Sequence, residues 1–243
     1  MKPRVKIDKI RTPDGDNMVL YQHGSDFLIQ IKGQVLMHSR QHESELELAR
    51  LGCAHLVGRK APHILIGGLG MGYTLRQALD MLSPHAIVVV GELLGAVVEW
   101  NREFLGKLNG QPLADERVDL KAGDIVELIS RSPSRFDAIL LDIDNGPSEM
   151  TYSGNHRLYS RDGIMACRRA LREQGCLALW SAESSKKFRR LLKSCSFHVR
   201  CFRVSAHKEG KSQFRFVCVA SEEKGILPSD GAKTHPPLKN DRL

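Results

Sequence analysis

The sequence has neither a long apolar run nor a paired cysteine motif. Apolar runs such as residues 86–90 are far shorter than the roughly 20 residues of a membrane helix. Residues 1–8 are too charged for a signal peptide, so we expect a cytoplasmic protein with no membrane partner. None of the six cysteines forms a C-x-x-C pair, which argues against a zinc ribbon or a redox pair. We therefore expect buried free thiols and no metal site.

The composition is that of an ordinary globular protein. Of the 243 residues, 42% are hydrophobic and 26% are charged, which excludes general disorder, a collagen-like repeat and a disulfide miniprotein. The length suits one large domain, or one domain with a small appendage.

Basic residues outnumber acidic ones, 36 to 28, and give a formal net charge of +8. Such a charge suits a polyanion, so a non-catalytic nucleoside-binding or nucleic-acid-binding protein is one alternative. The densest basic clusters fall in residues 168–172 and 186–193, where apolar residues recur at helical spacing. Solvated helix faces explain these clusters more simply. Steeply salt-dependent binding to RNA or DNA would favour the alternative.

Short β-type runs open the sequence, and turn signals separate them at residues 13–15 and 23–25. The pattern predicts a small antiparallel sheet within residues 1–40. An amphipathic helix is predicted after it, over residues 41–56, because apolar residues recur there at helical spacing between glutamates. The β-type runs cover residues 5–7, 18–21 and 27–31.

From residue 63 onward, apolar runs alternate with segments of helical periodicity. Runs rich in Val, Ile and Leu indicate strands buried on both faces, so we predict a Rossmann-like α/β fold with a mostly parallel seven-stranded sheet. The last two strands are expected to form an antiparallel hairpin at one edge. The predicted strands cover residues 63–66, 86–90, 118–121, 136–141, 176–180, 196–204 and 213–220, and the predicted helices residues 71–82, 95–105, 125–130, 160–172 and 183–195.

These patterns divide the chain into three parts. Residues 1–40 form the small N-terminal β element, and residues 41–221 form the Rossmann-like domain. Residues 222–243 are rich in Gly and Pro, so we predict a disordered tail.

A glycine-rich turn joins the first predicted parallel strand to its helix. Glycines at this position let a ligand approach the backbone, whose amides point toward it. A tight strand-to-helix turn also uses glycine for purely steric reasons, so the turn alone is weak evidence. The candidate cofactor-binding residues in it are Gly67, Gly68, Leu69, Gly70 and Gly72.

Acidic residues follow the next three strands. Glu92, with its neighbour Leu93, comes about 20 residues after the glycine turn, where an acid can take both ribose hydroxyls of a nucleoside. Asp124 could accept a hydrogen bond from an adenine amine while Ile125 packs on the ring. A role as the N-cap of the next helix explains Asp124 equally well. Asp142 ends the fourth strand. Acids at successive strand ends fit one nucleoside in the crevice.

This order of motifs resembles the nucleoside-binding core of class I S-adenosylmethionine-dependent transferases, and in detail the spermidine synthase-like family. The likeness runs from about residue 33 to residue 220. Residues 67–72 resemble the family's Gly-Gly-Gly-Asp-Gly-Gly loop, Glu92 its ribose acid, and residues 123–124 its adenine-binding Gly-Asp. Residues 136–147 resemble its Tyr-Asp-x-Ile-x-x-Asp-Ser-Ser-Asp-Pro segment.

The resemblance implies a class I methyltransferase fold and assigns Asp142 as the catalytic carboxylate that deprotonates and orients an amine. Asp144, Asn145 and Tyr159 are the corresponding substrate-side candidates. Plain strand-end solvation remains the alternative for the two aspartates, and a structural role remains the alternative for the tyrosine. Relatives in the family pair through the N-terminal element, so a homodimer is a further expectation.

The chain departs from the family pattern at several polar positions. Gly70 stands where the family has the Asp that pairs with the cationic aminopropyl group, and Asn145 replaces a second Asp. Leu36 falls at the family's Gln, and Gln41 and His42 at its Asp-Glu. Loss of the loop Asp removes a group that would repel the carboxylate of ordinary S-adenosylmethionine.

We therefore predict a transferase that binds S-adenosylmethionine or decarboxylated S-adenosylmethionine and alkylates a small amine, with methyl transfer slightly preferred. Aminopropyl transfer to a polyamine is the first alternative. In either reaction a nucleophile displaces at carbon beside a sulfonium, so positioning supplies most of the catalysis.

Overall fold

The structure is a computed structural model and describes residues 3–143, 153–207 and 213–229. Its strands form two sheets, one of four strands and one of seven. Across these three ranges, no helix has both the length and the hydropathy of a bilayer-spanning segment.

The N-terminal sheet is antiparallel, with its strands in sequence order. Side chains alternate along its third strand, where Phe27, Ile29 and Ile31 are buried on one face. That face packs into the same apolar core as the larger sheet, so the two sheets are one packed unit. The strands are β1 (Val5–Arg11), β2 (Asn17–His23), β3 (Asp26–Ile31) and β4 (Gln34–His38).

The second sheet confirms the predicted fold class. Its order is β10-β11-β9-β8-β5-β6-β7, with neighbouring strands parallel from β9 to β7. β11 runs antiparallel to both β9 and β10, so the hairpin closes one edge as predicted. The strands are β5 (His63–Gly67), β6 (Ile87–Glu92), β7 (Val118–Ala122), β8 (Phe136–Leu141), β9 (Leu171–Ser181), β10 (His198–Ser205) and β11 (Phe214–Ser221).

Six α-helices accompany these strands in the described residues. Several begin at a side chain that accepts a hydrogen bond from a first-turn amide, as Ser160 does from Gly163 and Ser185 from Phe188. The helices cover both faces of the large sheet, whose central strand β8 is buried along its whole length. They are α1 (Glu43–Cys53), α2 (Tyr73–Met81), α3 (Gly95–Trp100), α4 (Ile125–Ser130), α5 (Arg161–Ala170) and α6 (Lys186–Ser194).

Two departures from the prediction concern the type of one helix and the start of one strand. The helix predicted over residues 95–105 continues after Trp100 as a π-helix. There the side-chain amide of Asn101 points inward and donates to the main-chain carbonyls of Val97 and Gly70. β9 begins at Leu171, five residues earlier than predicted. The pairing register with β8 shifts between residues 136 and 138, which accommodates the extra residues.

The structure also corrects the expectation of six free thiols. Cys201 and Cys218 lie directly opposite each other in the hairpin of β10 and β11, and they form a disulfide. The register of the hairpin brings them together, which no sequence spacing signals. The remaining cysteines are buried and free; they are Cys53, Cys167, Cys176 and Cys195.

The first part of the predicted disordered tail is ordered. Residues 222–229 lie against the large sheet, where Arg168 forms an ion pair with Glu222 and Leu227 packs on the apolar core. A short 3₁₀ turn over Lys224–Ile226 shapes this stretch. The prediction for residues 230–243 lies outside the described residues.

Candidate functional site

A cavity opens at the carboxyl ends of the parallel strands, where the small sheet covers the large one. Such ends are the usual ligand position in open α/β sheets. Three parts of the chain build the lining. The small sheet supplies Thr12, Pro13, Met18, Ile29, Leu36 and Met37, helix α1 supplies Glu45, and the large sheet with its loops supplies Gly68, Gly70, residues 91–94, Val97, residues 123–125, Asp142, Ile143, Asn155 and Trp180.

The glycine turn has local reasons for its glycines. Gly68 has φ +90°, and a Cβ on it would lie 2.3 Å from the carbonyl oxygen of Asp142. Gly70 has φ +52°, and a Cβ there would lie 2.9 Å from the sulfur of Met37. The steric explanation for glycine therefore holds at both positions. Because both residues also line the cavity, the same bare backbone is open to a ligand.

Glu92 ends β6 and is tied to the glycine turn itself. One carboxylate oxygen accepts the main-chain N–H of Leu69 at 2.9 Å, and the other accepts that of Leu94 at 2.8 Å. Burial raises the pKa of Glu92, while these main-chain donors favour the carboxylate. Glu92 and Leu93 both line the cavity.

Asp124 has the N-cap role as well as a place in the cavity. One oxygen accepts the main-chain N–H of Val126 at 2.7 Å and caps helix α4, and the other pairs with Arg157. Ile125 lies beside it in the lining and packs between Gly67 and Gly91, on neighbouring strands.

Asp142 follows β8 and faces the cavity from the centre of the sheet. The hydroxyl of Thr74 donates to its carboxylate at 2.7 Å. Because protein rather than bulk water surrounds the carboxyl, its pKa is raised to about 6, and the Thr74 hydrogen bond opposes that rise. A carboxylate with this pKa is ionised at neutral pH and can still accept a proton.

Glu45 is a cavity residue that the sequence analysis missed. Its side chain is buried, and the hydroxyl of Ser44 donates to its carboxyl at 2.5 Å. Burial and the nearby charge of Asp142 raise the pKa of Glu45 to about 8. Helical periodicity offered a signal, because Glu45 lies three and four residues before buried Leu48 and Ala49.

Not every predicted residue reaches the cavity. Among the described residues, Gly67, Leu69 and Gly72 support the turn from behind, and Gly68, Gly70, Glu92, Leu93, Asp124, Ile125 and Asp142 form lining. Tyr159 is buried edge-on against Phe188 beside a separate small cavity, so it lies outside the lining of the main cavity, and its role as an acceptor contact stays a prediction. Asp144 and Asn145 lie outside the described residues.

The lining is acidic. Four carboxyl side chains reach it, from Glu45, Glu92, Asp124 and Asp142, and in the part of the chain that the structure describes only Asp124 pairs with a basic side chain, Arg157. Trp180 lines the same cavity, and its indole N–H is buried with no hydrogen-bond partner among the described residues. The cavity is therefore suited to cationic ligands that can also accept a hydrogen bond.

Comparison with known proteins agrees with this geometry. The profile described as "Spermine/spermidine synthase domain" matches residues 49–204. Polyamine aminopropyltransferase 1 of Pseudomonas aeruginosa is 34% identical over 119 residues, which cover 48% of this chain and 39% of that protein. The polyamine aminopropyltransferase of Bacillus subtilis is 29% identical over 113 residues, covering 44% and 40%. The chain thus aligns with only about two fifths of these relatives' length.

Solved structures share the fold over nearly the whole chain. Spermidine synthase from Thermotoga maritima superposes with a TM-score of 0.72 at 18% identity, covering 92% of this chain and 76% of that one. A probable spermidine synthase from Corynebacterium glutamicum gives a TM-score of 0.68 at 15% identity, covering 96% and 84%. At these identities the likeness establishes the fold.

The sheet order and the glycine turn define a Rossmann-like protein with the class I methyltransferase fold. Within that class, the chain belongs to the spermine/spermidine synthase domain family, because the profile covers well over half of its 243 residues.

Proposed function

We propose that the protein transfers an aminopropyl group from decarboxylated S-adenosylmethionine to a small amine. The charge of the cavity carries this proposal: four carboxyl side chains line it, and among the described residues only that of Asp124 pairs with a basic side chain, Arg157. The decarboxylated donor bears an ammonium and a sulfonium, and both suit such a lining. Ordinary S-adenosylmethionine adds a carboxylate, which the same lining repels.

The residues that would hold the donor fit a sulfonium nucleoside. Each oxygen of Glu92 accepts one main-chain N–H and keeps capacity for a ribose hydroxyl. Asp124 and Ile125 border the cavity at the end of β7, where they would contact the adenine. Gly68 and Gly70 leave the backbone bare on the same side. When bound, the donor supplies an electrophilic carbon beside its sulfonium and a neutral thioether as the leaving group.

Asp142 would act on the acceptor. Its carboxylate is ionised at neutral pH, faces the cavity and keeps its orientation through the Thr74 hydroxyl. It would accept the proton of the acceptor ammonium and hold the free amine in line for attack, because a positioned base is the group this reaction needs.

Methyl transfer is the second candidate, and Gly70 favours it. The position has no carboxylate, and Met37 occupies the space that a side chain there would need. Considered alone, Gly70 makes methyl transfer a better candidate than aminopropyl transfer. The acidic lining and the aminopropyltransferase names of the relatives reverse that order.

Calorimetric titration with decarboxylated S-adenosylmethionine, S-adenosylmethionine and methylthioadenosine tests the proposal. We expect the decarboxylated donor to bind at least about tenfold more tightly than the carboxylated one, since ~1.4 kcal/mol of repulsion suffices for that ratio. The reverse preference would establish methyl transfer as the better candidate. Failure of all three ligands to bind would overturn both reactions.

A further inference from the structure

The cavity contains a second acid close to Asp142 that the proposed reaction has not used. Glu45 comes from helix α1, whereas Asp142 follows β8, so only the fold brings them together. Thr74 on α2 connects the two residues: its hydroxyl donates to the Asp142 carboxylate at 2.7 Å and lies 3.3 Å from the backbone carbonyl of Glu45.

Glu45 is not an ordinary solvated helix residue. It is 7% exposed and lies on the buried face of α1 with Leu48 and Ala49. Glu47 provides the contrast on the same helix, because it pairs with Arg50 at 2.5 Å near the surface. A buried carboxylate destabilises the fold through lost hydration, unless it is protonated or has hydrogen-bond partners that replace the water.

The groups around Glu45 allow it to gain and lose a proton. Glu45 interacts electrostatically with three charged or titratable side chains: Asp142, Tyr73 on α2 and Arg215 on β11. Two carboxyl groups in one buried site resist ionising together, so the pair retains a proton near neutral pH. The Ser44 hydroxyl donates to a carboxylate and can rotate to accept from the protonated acid.

We propose that Glu45 is an acceptor-binding carboxylate that selects a cationic amine together with Asp142, and that the pair releases its shared proton when the amine binds. The inference rests on the proposed function and adds to it the residue that recognises the acceptor's charge. An ammonium placed between two carboxylates makes charge-assisted hydrogen bonds to both. An uncharged nucleophile leaves one acid protonated and gains no such pairing.

The protons balance over the cycle. Binding of the ammonium sends the shared proton to solvent, and both acids become carboxylates. The ammonium then passes one proton to Asp142, and the free amine forms the N–C bond while the electron pair of the C–S bond stays on sulfur. The product leaves as a secondary ammonium beside a neutral thioether. The acid pair is left with one proton, as it began.

The test counts protons released when 1,4-diaminobutane binds, by calorimetry at pH 7 in buffers of different ionisation enthalpy with methylthioadenosine present. We expect about one proton per amine for the wild-type protein and for the matched control Glu47→Gln, since one shared proton is displaced. Glu45→Gln should release almost none and bind the amine at least about tenfold more weakly. Equal release and affinity in Glu45→Gln would overturn the role of Glu45.

Two further measurements make the result decisive. Should Glu45→Gln fail to fold, the pH dependence of proton release by the wild-type protein decides: the number of protons released should fall toward zero above pH 8, and a number that does not change with pH overturns the inference.

Turnover of decarboxylated S-adenosylmethionine with 1,4-diaminobutane separates the two proposals. Turnover with unchanged acceptor KM in Glu45→Gln removes only the role of Glu45, whereas absence of donor binding and turnover in the wild type removes the proposed function as well.

Discussion

Different groups hold the acids on the two sides of the cavity. On the side where we place the donor, Glu92 and Asp124 accept main-chain N–H groups, which can only donate and therefore favour carboxylates. On the side where we place the acceptor, Asp142 and Glu45 accept hydroxyl groups of Thr74 and Ser44, which donate or accept.

This difference separates a fixed binding surface from a site that can exchange protons. On the donor side, main-chain N–H groups fix Glu92 to the glycine turn and Asp124 to helix α4. Hydroxyl partners let the acceptor side change its protonation state without losing a hydrogen bond. Substitutions on the donor side should therefore affect nucleoside binding, and substitutions on the acceptor side should affect amine binding and turnover.

Asp142→Asn should have the largest effect. The amide keeps the size of the side chain but cannot take a proton, so kcat should fall by about 10²–10⁴-fold, the usual contribution of a general base. Methylthioadenosine should still bind within about threefold of wild type, since ~0.6 kcal/mol covers that change. Steady-state kinetics and calorimetry measure the two quantities, and an unchanged kcat would contradict the role of Asp142.

Glu92→Ala should weaken methylthioadenosine binding by about 10–100-fold, because the ribose loses hydrogen bonds to a charged group. Stability should also fall, since the main-chain N–H groups of Leu69 and Leu94 lose their acceptor. Glu99→Ala is the matched control, as Glu99 lies exposed on α3 and pairs with Arg102. An unaltered dissociation constant in Glu92→Ala would remove Glu92 from the nucleoside site.

Gly68→Ala tests the point where the two sides meet. Its Cβ would collide with the Asp142 carbonyl, so the free energy of unfolding should drop by about 1–3 kcal/mol. Gly110→Ala is the control: Gly110 has φ +76° with open space around it, so only the backbone conformation is penalised, by about 1 kcal/mol. Equal losses in urea unfolding of the two variants would show that close approach to Asp142 contributes nothing.

Glu45→Gln should stabilise the protein at pH 8 by about 1–3 kcal/mol, since each unit of pKa shift corresponds to ~1.4 kcal/mol. The raised pKa means that folded protein binds more protons than unfolded protein between about pH 4.5 and 8. Wild-type stability should therefore fall as pH rises through that window. Urea unfolding at several pH values measures the slope, which Glu47→Gln should retain; a wild-type slope of the opposite sign would contradict a protonated Glu45.

The donor side was readable from the sequence because its residues sit at fixed points of a repeated unit. Gly68, Glu92 and Asp124 each lie at the carboxyl end of a strand, and parallel strands bring these ends to one edge of the sheet. Local order along the chain was enough to predict that these residues meet.

The acceptor side depends on contacts between distant segments. Glu45 enters the same cavity as Asp142 only because α1 packs against α2 and the sheet, and Tyr159 packs edge-on against Phe188. The pairing of Cys201 with Cys218 likewise follows from hairpin register. No spacing rule contains these contacts, because tertiary packing decides them.

Product analysis tests the central claim most directly. The wild-type protein is incubated with 1,4-diaminobutane and either decarboxylated S-adenosylmethionine or S-adenosylmethionine, and the products are identified by mass spectrometry. Our account predicts methylthioadenosine and an amine that has gained an aminopropyl group, from the decarboxylated donor only. A methylated amine with S-adenosylhomocysteine, or no product from either donor, would contradict it.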